Sequence, residues 1–270
     1  MLLEKIIPQS SGTYLSMKVI FDKIGKKIDN FGLIQLFTIW TLTVSGIVID
    51  MGLINRSVYW DWSNWLIGLS KLFFVMIIFL FFLKPNGLWD VDKKRLEFSS
   101  IGIHLVIAFL CIFIGLYNSN ISLNHLLLTF LYLIFFFGGL LIFQFQIKLN
   151  KEKKIWFITN FDNKVLILSL SLFLMILSAI IGVYLDDPII STSAIVSTPF
   201  PLIALIWPNH VRHLQRARFY PLFIFAMFLC VRAPWFLIPL LILFFFLRIV
   251  NYLRFGITHP SFGVDFSEED

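Results

Sequence analysis

The sequence predicts an all-α, polytopic transmembrane helical bundle of about eight spans. Three observations predict it. The 270 residues are 59% hydrophobic and only 14% charged, whereas soluble domains carry about a quarter charged residues. The apolar residues fall into runs of about 20, the length that crosses a bilayer core. The loops between the runs alternate between rich and poor in Lys and Arg, as the two sides of a membrane require.

Residues 1–30 come first, with five lysines and no small-residue cleavage site. The first apolar run is therefore expected to stay as a membrane anchor. Met17, Ile20, Phe21, Ile24 and Ile28 lie on one helical stripe, with Lys18, Lys23, Lys26 and Lys27 largely off it. That pattern predicts an amphipathic helix lying on the bilayer surface. The transmembrane domain is expected over 31–255, and 256–270 reads as an acidic cytoplasmic tail.

Spans are expected near 31–52, 64–83, 100–117, 121–147, 164–185 and 189–207. The last apolar block, 219–249, is interrupted at Val231-Arg232-Ala233-Pro234. It reads as two short helices or one broken one. Lys84, Lys93, Lys94 and Arg95 mark the loop after the second span. Lys148, Lys151, Lys153 and Lys154 mark the loop after the fourth, and Arg212, Arg216 and Arg218 the loop after the sixth. The intervening loops carry only Arg56, or no cation at all. The positive-inside rule then places the N-terminus and the rich loops in the cytoplasm of a bacterial-type inner membrane. The cations flank spans, where lipid headgroups are their partners, so the net charge of +6 does not imply nucleic acid.

Tyr59-Trp60-Asp61-Trp62-Ser63-Asn64-Trp65 reads as an aromatic belt on the outer side. Cys111 and Cys230 both lie in apolar runs and read as buried thiols. His104 and His125, near helix starts, read as hydrogen-bonded polar residues. Asp50 and Lys71 fall at or within spans, where charge is expensive and often functional. His210 and His213 share a helical face, but no third metal ligand stands nearby. The sequence holds no G-x-x-x-x-G-K-[ST], H-E-x-x-H or G-x-S-x-G stretch.

The polar stretch Lys84-Pro85-Asn86-Gly87-Leu88-Trp89-Asp90-Val91-Asp92-Lys93-Lys94-Arg95 is the strongest candidate for chemistry. Asp90, Asp92 and Asn86 supply oxygens suited to Mg2+, and Lys93, Lys94 and Arg95 suit phosphate oxygens. Asn86-Gly-Leu-Trp-Asp90-Val-Asp92 resembles the first aspartate-rich motif, N-D-x-x-D-x-x-x-D, of the UbiA-type intramembrane prenyltransferases. Asn86 and Asp90 match. Gly87 and Lys94 stand where that motif has its first and last Asp, and Asp92 falls two residues early. Lys153 to Lys164 is similar to a passage of divergent family members, and Arg216-Ala217-Arg218-Phe219-Tyr220-Pro221 to their C-terminal region.

Two departures accompany the resemblance. The stretch 144–151, where the second aspartate motif would stand, has no acidic residue. The two motif loops are also separated by two spans rather than four. The resemblance implies a UbiA-like bundle that transfers a prenyl group from a prenyl diphosphate to an aromatic or lipid acceptor with Mg2+. It implies metal ligation by Asp90, Asp92 and Asn86, and diphosphate contacts from Lys93, Lys94, Arg95, Lys148 and Lys151. The alternative reading is a catalytically inactive lipid-binding, scaffold or small permease-like membrane protein.

Overall fold

The computed structural model describes residues 2–91, 97–117, 120–150, 155–159 and 163–256. Among them the chain is almost entirely helical. Seven helical segments are long and apolar enough to cross a membrane: Leu33–Ile54, Trp65–Leu83, Ser99–Leu116, Leu123–Gln144, Lys164–Tyr184, Pro188–Ile206 and Pro234–Phe255. The protein is therefore a multi-pass α-helical membrane protein, and six of its spans fall within a few residues of the expected runs.

The chain divides into two compact units. Of the described residues, the smaller unit joins 2–33, 149–150 and 155–156 with 238–256. Its helices are α1 (Leu2–Ile6), α2 (Gly12–Phe31) and α11 (Leu237–Phe255). Ser11 caps α2 by accepting the Tyr14 N–H at 3.1 Å, and Gly32 ends the helix in the left-handed region at φ 78°. Tyr14 and Tyr252 meet edge to face, with centroids 5.6 Å apart. The Tyr14 hydroxyl donates to the Tyr252 carbonyl at 3.2 Å. Met17 and Phe21 of the apolar stripe pack against this pair, whereas Ile20 and Ile24 stay exposed.

The larger unit takes the other described residues, between Ile34 and Leu237. It contains nearly all of α3 (Leu33–Ile54), then α4 (Trp65–Ile78), α5 (Phe98–Leu116) and α6 (Leu123–Leu141). These are followed by α7 (Lys164–Tyr184), α8 (Pro188–Ser197), α9 (Pro199–Ile206) and α10 (Val211–Leu229). Helix α3 is its most enclosed span. Its buried hydroxyls donate back along the helix, Thr38 to the Ile34 carbonyl, Thr41 to that of Phe37 and Thr43 to that of Ile39. A polar side chain that bonds its own turn can be buried without a partner helix. Gly46 of α3 and Gly115 of α5 let the two backbones touch, since a Cβ at Gly46 would lie 2.9 Å from the Gly115 Cα. Small residues at such a crossing let dispersion replace the missing hydrophobic drive between helices in lipid.

Block 219–249 forms two helices, α10 and α11, joined by a turn at 230–233 and the 3-10 turn Pro234–Phe236. The expected seventh span, the first half of that block, corresponds to α10, which starts at Val211 rather than 219 and carries Arg212, Arg216 and Arg218 in its first half. It is not among the helices that qualify as spans by length and apolarity. The loop expected at 148–163 contains two paired strands, β1 (Gln146–Asn150) and β2 (Ile155–Thr159). The polar-apolar alternation Gln-Ile-Lys-Leu-Asn and the β-rich Ile-Trp-Phe-Ile-Thr carried that signal.

Candidate functional site

Two polar regions stand out in the larger unit, one at each end of its helices. The cation-rich end holds loop 84–91. Helix α4 runs into it through a π-helical turn, Phe79–Leu83, in which Lys84 N–H donates to the Phe79 carbonyl at 2.9 Å. Single π turns are frequent at functional sites. Trp89 is fully buried and anchors the loop. Its indole N–H donates to the Gln35 carbonyl at 3.2 Å, and the Gln35 amide donates to the Val91 carbonyl at 3.0 Å. The ring stacks on His104 at 4.9 Å and on Phe136 at 6.1 Å.

His104 satisfies both ring nitrogens there. Nδ1 lies 2.7 Å from the Ser100 carbonyl, and Nε2 accepts the Asp90 main-chain N–H at 3.1 Å. Those partners assign the proton to Nδ1. The Asp90 carboxylate is half-buried and faces Gly87, which turns the chain at φ 61°. Asn86 is exposed, and its amide donates to the Phe82 carbonyl at 2.8 Å. The structure thus brings Asn86, Gly87 and Asp90 into one tight turn. Asp92, Lys93, Lys94, Arg95 and Lys151 lie outside the described residues, and Lys148 falls in β1. Beside the loop, Val91, Phe135, Phe136, Phe143, Phe225 and Arg218 enclose an apolar cavity of about 30 Å³. The Arg218 guanidinium sits 4.6 Å above the Phe143 ring.

The cation-poor end holds a larger cavity, about 330 Å³. Its charged lining is Asp50, Asp61 and Lys71, with Asn55 and Asn64 beside them. His125 Nε2 lies 3.3 Å from Asp50 Oδ1. Ser122 fixes the tautomer, because its main-chain N–H donates to Nδ1 at 3.2 Å and leaves the proton on Nε2. Lys71 is turned onto the end of α5, where its ammonium donates to the Gly115 and Tyr117 carbonyls at 2.6 and 3.0 Å. A cation there complements the negative end of the helix dipole. Asp61 accepts the Ser63 hydroxyl at 2.6 Å and its N–H at 2.8 Å. These bonds hold its carboxyl below the usual carboxylate range.

Arg232 braces the turn that leads to Trp235, one of the residues lining this cavity. It is 2% exposed and donates to the Arg56 carbonyl at 3.1 Å and the Val48 carbonyl at 3.4 Å. Gly52 makes room for the guanidinium, which would collide with any Cβ at that position. The Trp60 N–H donates to the Val231 carbonyl at 2.7 Å, and Arg56 pairs with Asp186. Nearby, Asp187 caps α8 by accepting the Ile189 N–H at 2.9 Å, and it receives the Tyr132 hydroxyl at 3.0 Å. Tyr59, Trp60, Trp62 and Trp65 are exposed around the same loop, in keeping with the aromatic belt.

Sequence reasoning singled out Asp50, Lys71 and Arg232 one at a time, and took His104 and His125 as hydrogen-bonded polar residues, which they are. It did not gather Asp50, Lys71 and Asp61 into one cavity. The available signal was the placement of all three near the cation-poor ends of their segments. His210 and His213 do share a face, with rings 4.3 Å apart. No group of three or more His, Cys, Asp or Glu side chains among the described residues is disposed to hold a metal. Both cysteines are free and buried.

Fold and sites define a polytopic α-helical membrane protein with a polar cavity at one end and an aromatic one at the other. No family model matches the chain, and no curated protein or solved structure shows significant similarity to it.

Proposed function

We propose that this protein binds a prenyl diphosphate at its cation-rich end and transfers the prenyl group to an aromatic or lipid acceptor, as the UbiA-type resemblance implies. One observation carries the reading. The turn holding Asn86 and Asp90 adjoins, through Val91, a cavity walled by phenylalanines and by Arg218. Such a pairing suits a ligand with an anionic head and a hydrocarbon tail.

In the reaction the allylic C–O bond breaks, diphosphate leaves with the bonding pair, and the acceptor captures the carbocation and loses a proton. Aromatic faces attract a cation, so the phenylalanine wall favours the charge as it develops. Arg218 is a guanidinium suited to phosphate oxygens. Mg2+ commonly binds through one or two carboxylates plus substrate phosphates. The half-buried Asp90 and the Asn86 amide oxygen suit that shared mode and would hold the ion, which neutralises the leaving diphosphate when bound. The cavity of about 30 Å³ has room for about one water, so a prenyl tail must part α6 from α10. Pro221, which borders the cavity, lacks the N–H that would tie that turn of α10 to its preceding one, and so softens the helix there. In this reading the cation-rich loops face the cytoplasm of a bacterial plasma membrane, with the N-terminus on the same side.

Binding without turnover is the second reading. The absence of any carboxylate in 144–151 favours it, because a second set of acidic ligands would be missing. The test is Mg2+-dependent binding of a labelled prenyl diphosphate to the purified protein, followed by diphosphate release on adding an acceptor. Asp90→Ala and Arg218→Met should each weaken binding about 10-fold, the loss expected for a charge-assisted contact. Binding indifferent to both substitutions would sink the proposal. Binding without diphosphate release would select the second reading.

A further inference from the structure

The cavity at the cation-poor end is unexplained by prenyl transfer. Its volume, about 330 Å³, falls in the range of small-molecule sites. Its charges do not cancel. Lys71 is committed to two carbonyls at the end of α5, which leaves one N–H of the ammonium for a ligand. Asp50 receives only the neutral His125, on Oδ1, so Oδ2 is left without a protein partner among the described residues. No ion pair within 4 Å joins Asp50 to Lys71 among them. Asp61 is held ionised by Ser63. The lining therefore carries two carboxylates against one partly engaged ammonium. Ile54, Ile67 and Met51 supply an apolar flank, and Ile54 is 78% exposed at the rim.

We propose that this cavity binds a primary-amine head group of the phosphoethanolamine type. The amine donates to Asp50, with Asp61 adding negative charge, and the anionic part of the head group meets the remaining N–H of Lys71. Hydrocarbon attached to it runs along the Ile54 and Ile67 flank toward lipid. Three features separate this ligand from its competitors. A bare metal ion would leave most of the cavity empty, and the described residues hold no suitable ligand group. An anionic head group without an amine would face uncompensated carboxylates. A quaternary ammonium has no N–H to give to Asp50. The chemistry is common to an ethanolamine phospholipid and to a soluble phosphoethanolamine.

The experiment is native mass spectrometry of the detergent-purified full chain with phosphatidylethanolamine, phosphatidylcholine or phosphatidylglycerol. The ethanolamine lipid should be retained about 10-fold better than either, the factor one hydrogen bond to a charged group supplies. Asp50→Asn should abolish that preference while keeping the acceptor for His125 and an unchanged ligand-free thermal midpoint. Ile54→Trp, at the exposed rim, should abolish it by filling the cavity even if the Asp50 variant folds poorly. Equal retention of the three lipids by the wild type would overturn the proposal, as would a preference that survives both substitutions. Displacement of the bound lipid by free phosphoethanolamine would identify the head group as sufficient, and failure to displace it would identify the lipid as the source.

Discussion

At the cation-rich end, the described polar side chains hold backbone: Gln35, Trp89, His104 and Asn86 each bond a main-chain atom of loop 84–91 or its supports. At the cation-poor end, Asp50, Asp61 and Lys71 line a cavity of ligand size. The first region is conspicuous in sequence because its cations cluster, and the second is nearly silent because its charges are scattered over two spans and a loop. Loop cations answer to the membrane's two sides. Charges inside spans answer to a site, because only a partner or a ligand offsets their desolvation. The clustered loop cations therefore carry a topological signal whatever else the loop binds, whereas Asp50 and Lys71 carry a chemical one.

Substitutions at each end test that contrast. The largest effect is expected at Trp89. Trp89→Ala should cost about 3–5 kcal/mol in reversible detergent unfolding, the cost of emptying a large core site. Asp90→Ala, one residue on, should stay within about 0.5 kcal/mol, as a half-exposed substitution usually does, and act on diphosphate binding alone. If Asp90→Ala proves the more destabilising of the two, the loop is not built around its tryptophan.

Arg232→Met should cost about 3 kcal/mol, because two carbonyls lose a charged donor while the volume is kept. The same assay checks it. A variant as stable as wild type would show that Arg232 does not brace the turn against the Val48 and Arg56 carbonyls. Gly115→Val should follow at about 1–3 kcal/mol, the cost of overpacking, since its side chain would meet the Gly46 Cα and the Thr43 carbonyl across the α3–α5 crossing. An unaltered unfolding midpoint would exclude that close approach.

The smallest effect is a pH dependence at His213. Burial first, then His210 and Arg216, hold this histidine below its ordinary value. The unfolded chain therefore takes up the proton at higher pH than the folded one. Stability should be unaffected above about pH 7 and should fall as pH drops below about 6.5, where the unfolded imidazole begins to titrate. His213→Gln should flatten that decline in thermal midpoints measured from pH 7.5 to 5. An equal decline in both proteins would assign it elsewhere.

Much of the architecture was legible because its physics is local. A run of about 20 apolar residues has few structures open to it in lipid besides a helix, which is why six spans lie where hydropathy puts them. The pair β1 and β2 was missed because five alternating residues are a short signal inside a lysine-rich loop. Block 219–249 could not be divided from sequence, since Arg232 and Pro234 suit either a kink or a turn. The buried guanidinium, bonded to the Arg56 and Val48 carbonyls, decided for the turn.

The sequence by itself determined that this is a multi-pass α-helical protein, where most of its spans run, and which loops share a charge bias. Each of these follows from the transfer free energy of contiguous residues. Only the tertiary structure decided that Trp89 anchors the candidate loop and that Asp50, Lys71 and Asp61 line one cavity. Residues as distant in the chain as Asp50, Gly115 and Trp235 meet there because Gly46, Gly52 and Gly115 allow backbones and a guanidinium to approach closely. That proximity depends on packing between helices, and no local pattern encodes it.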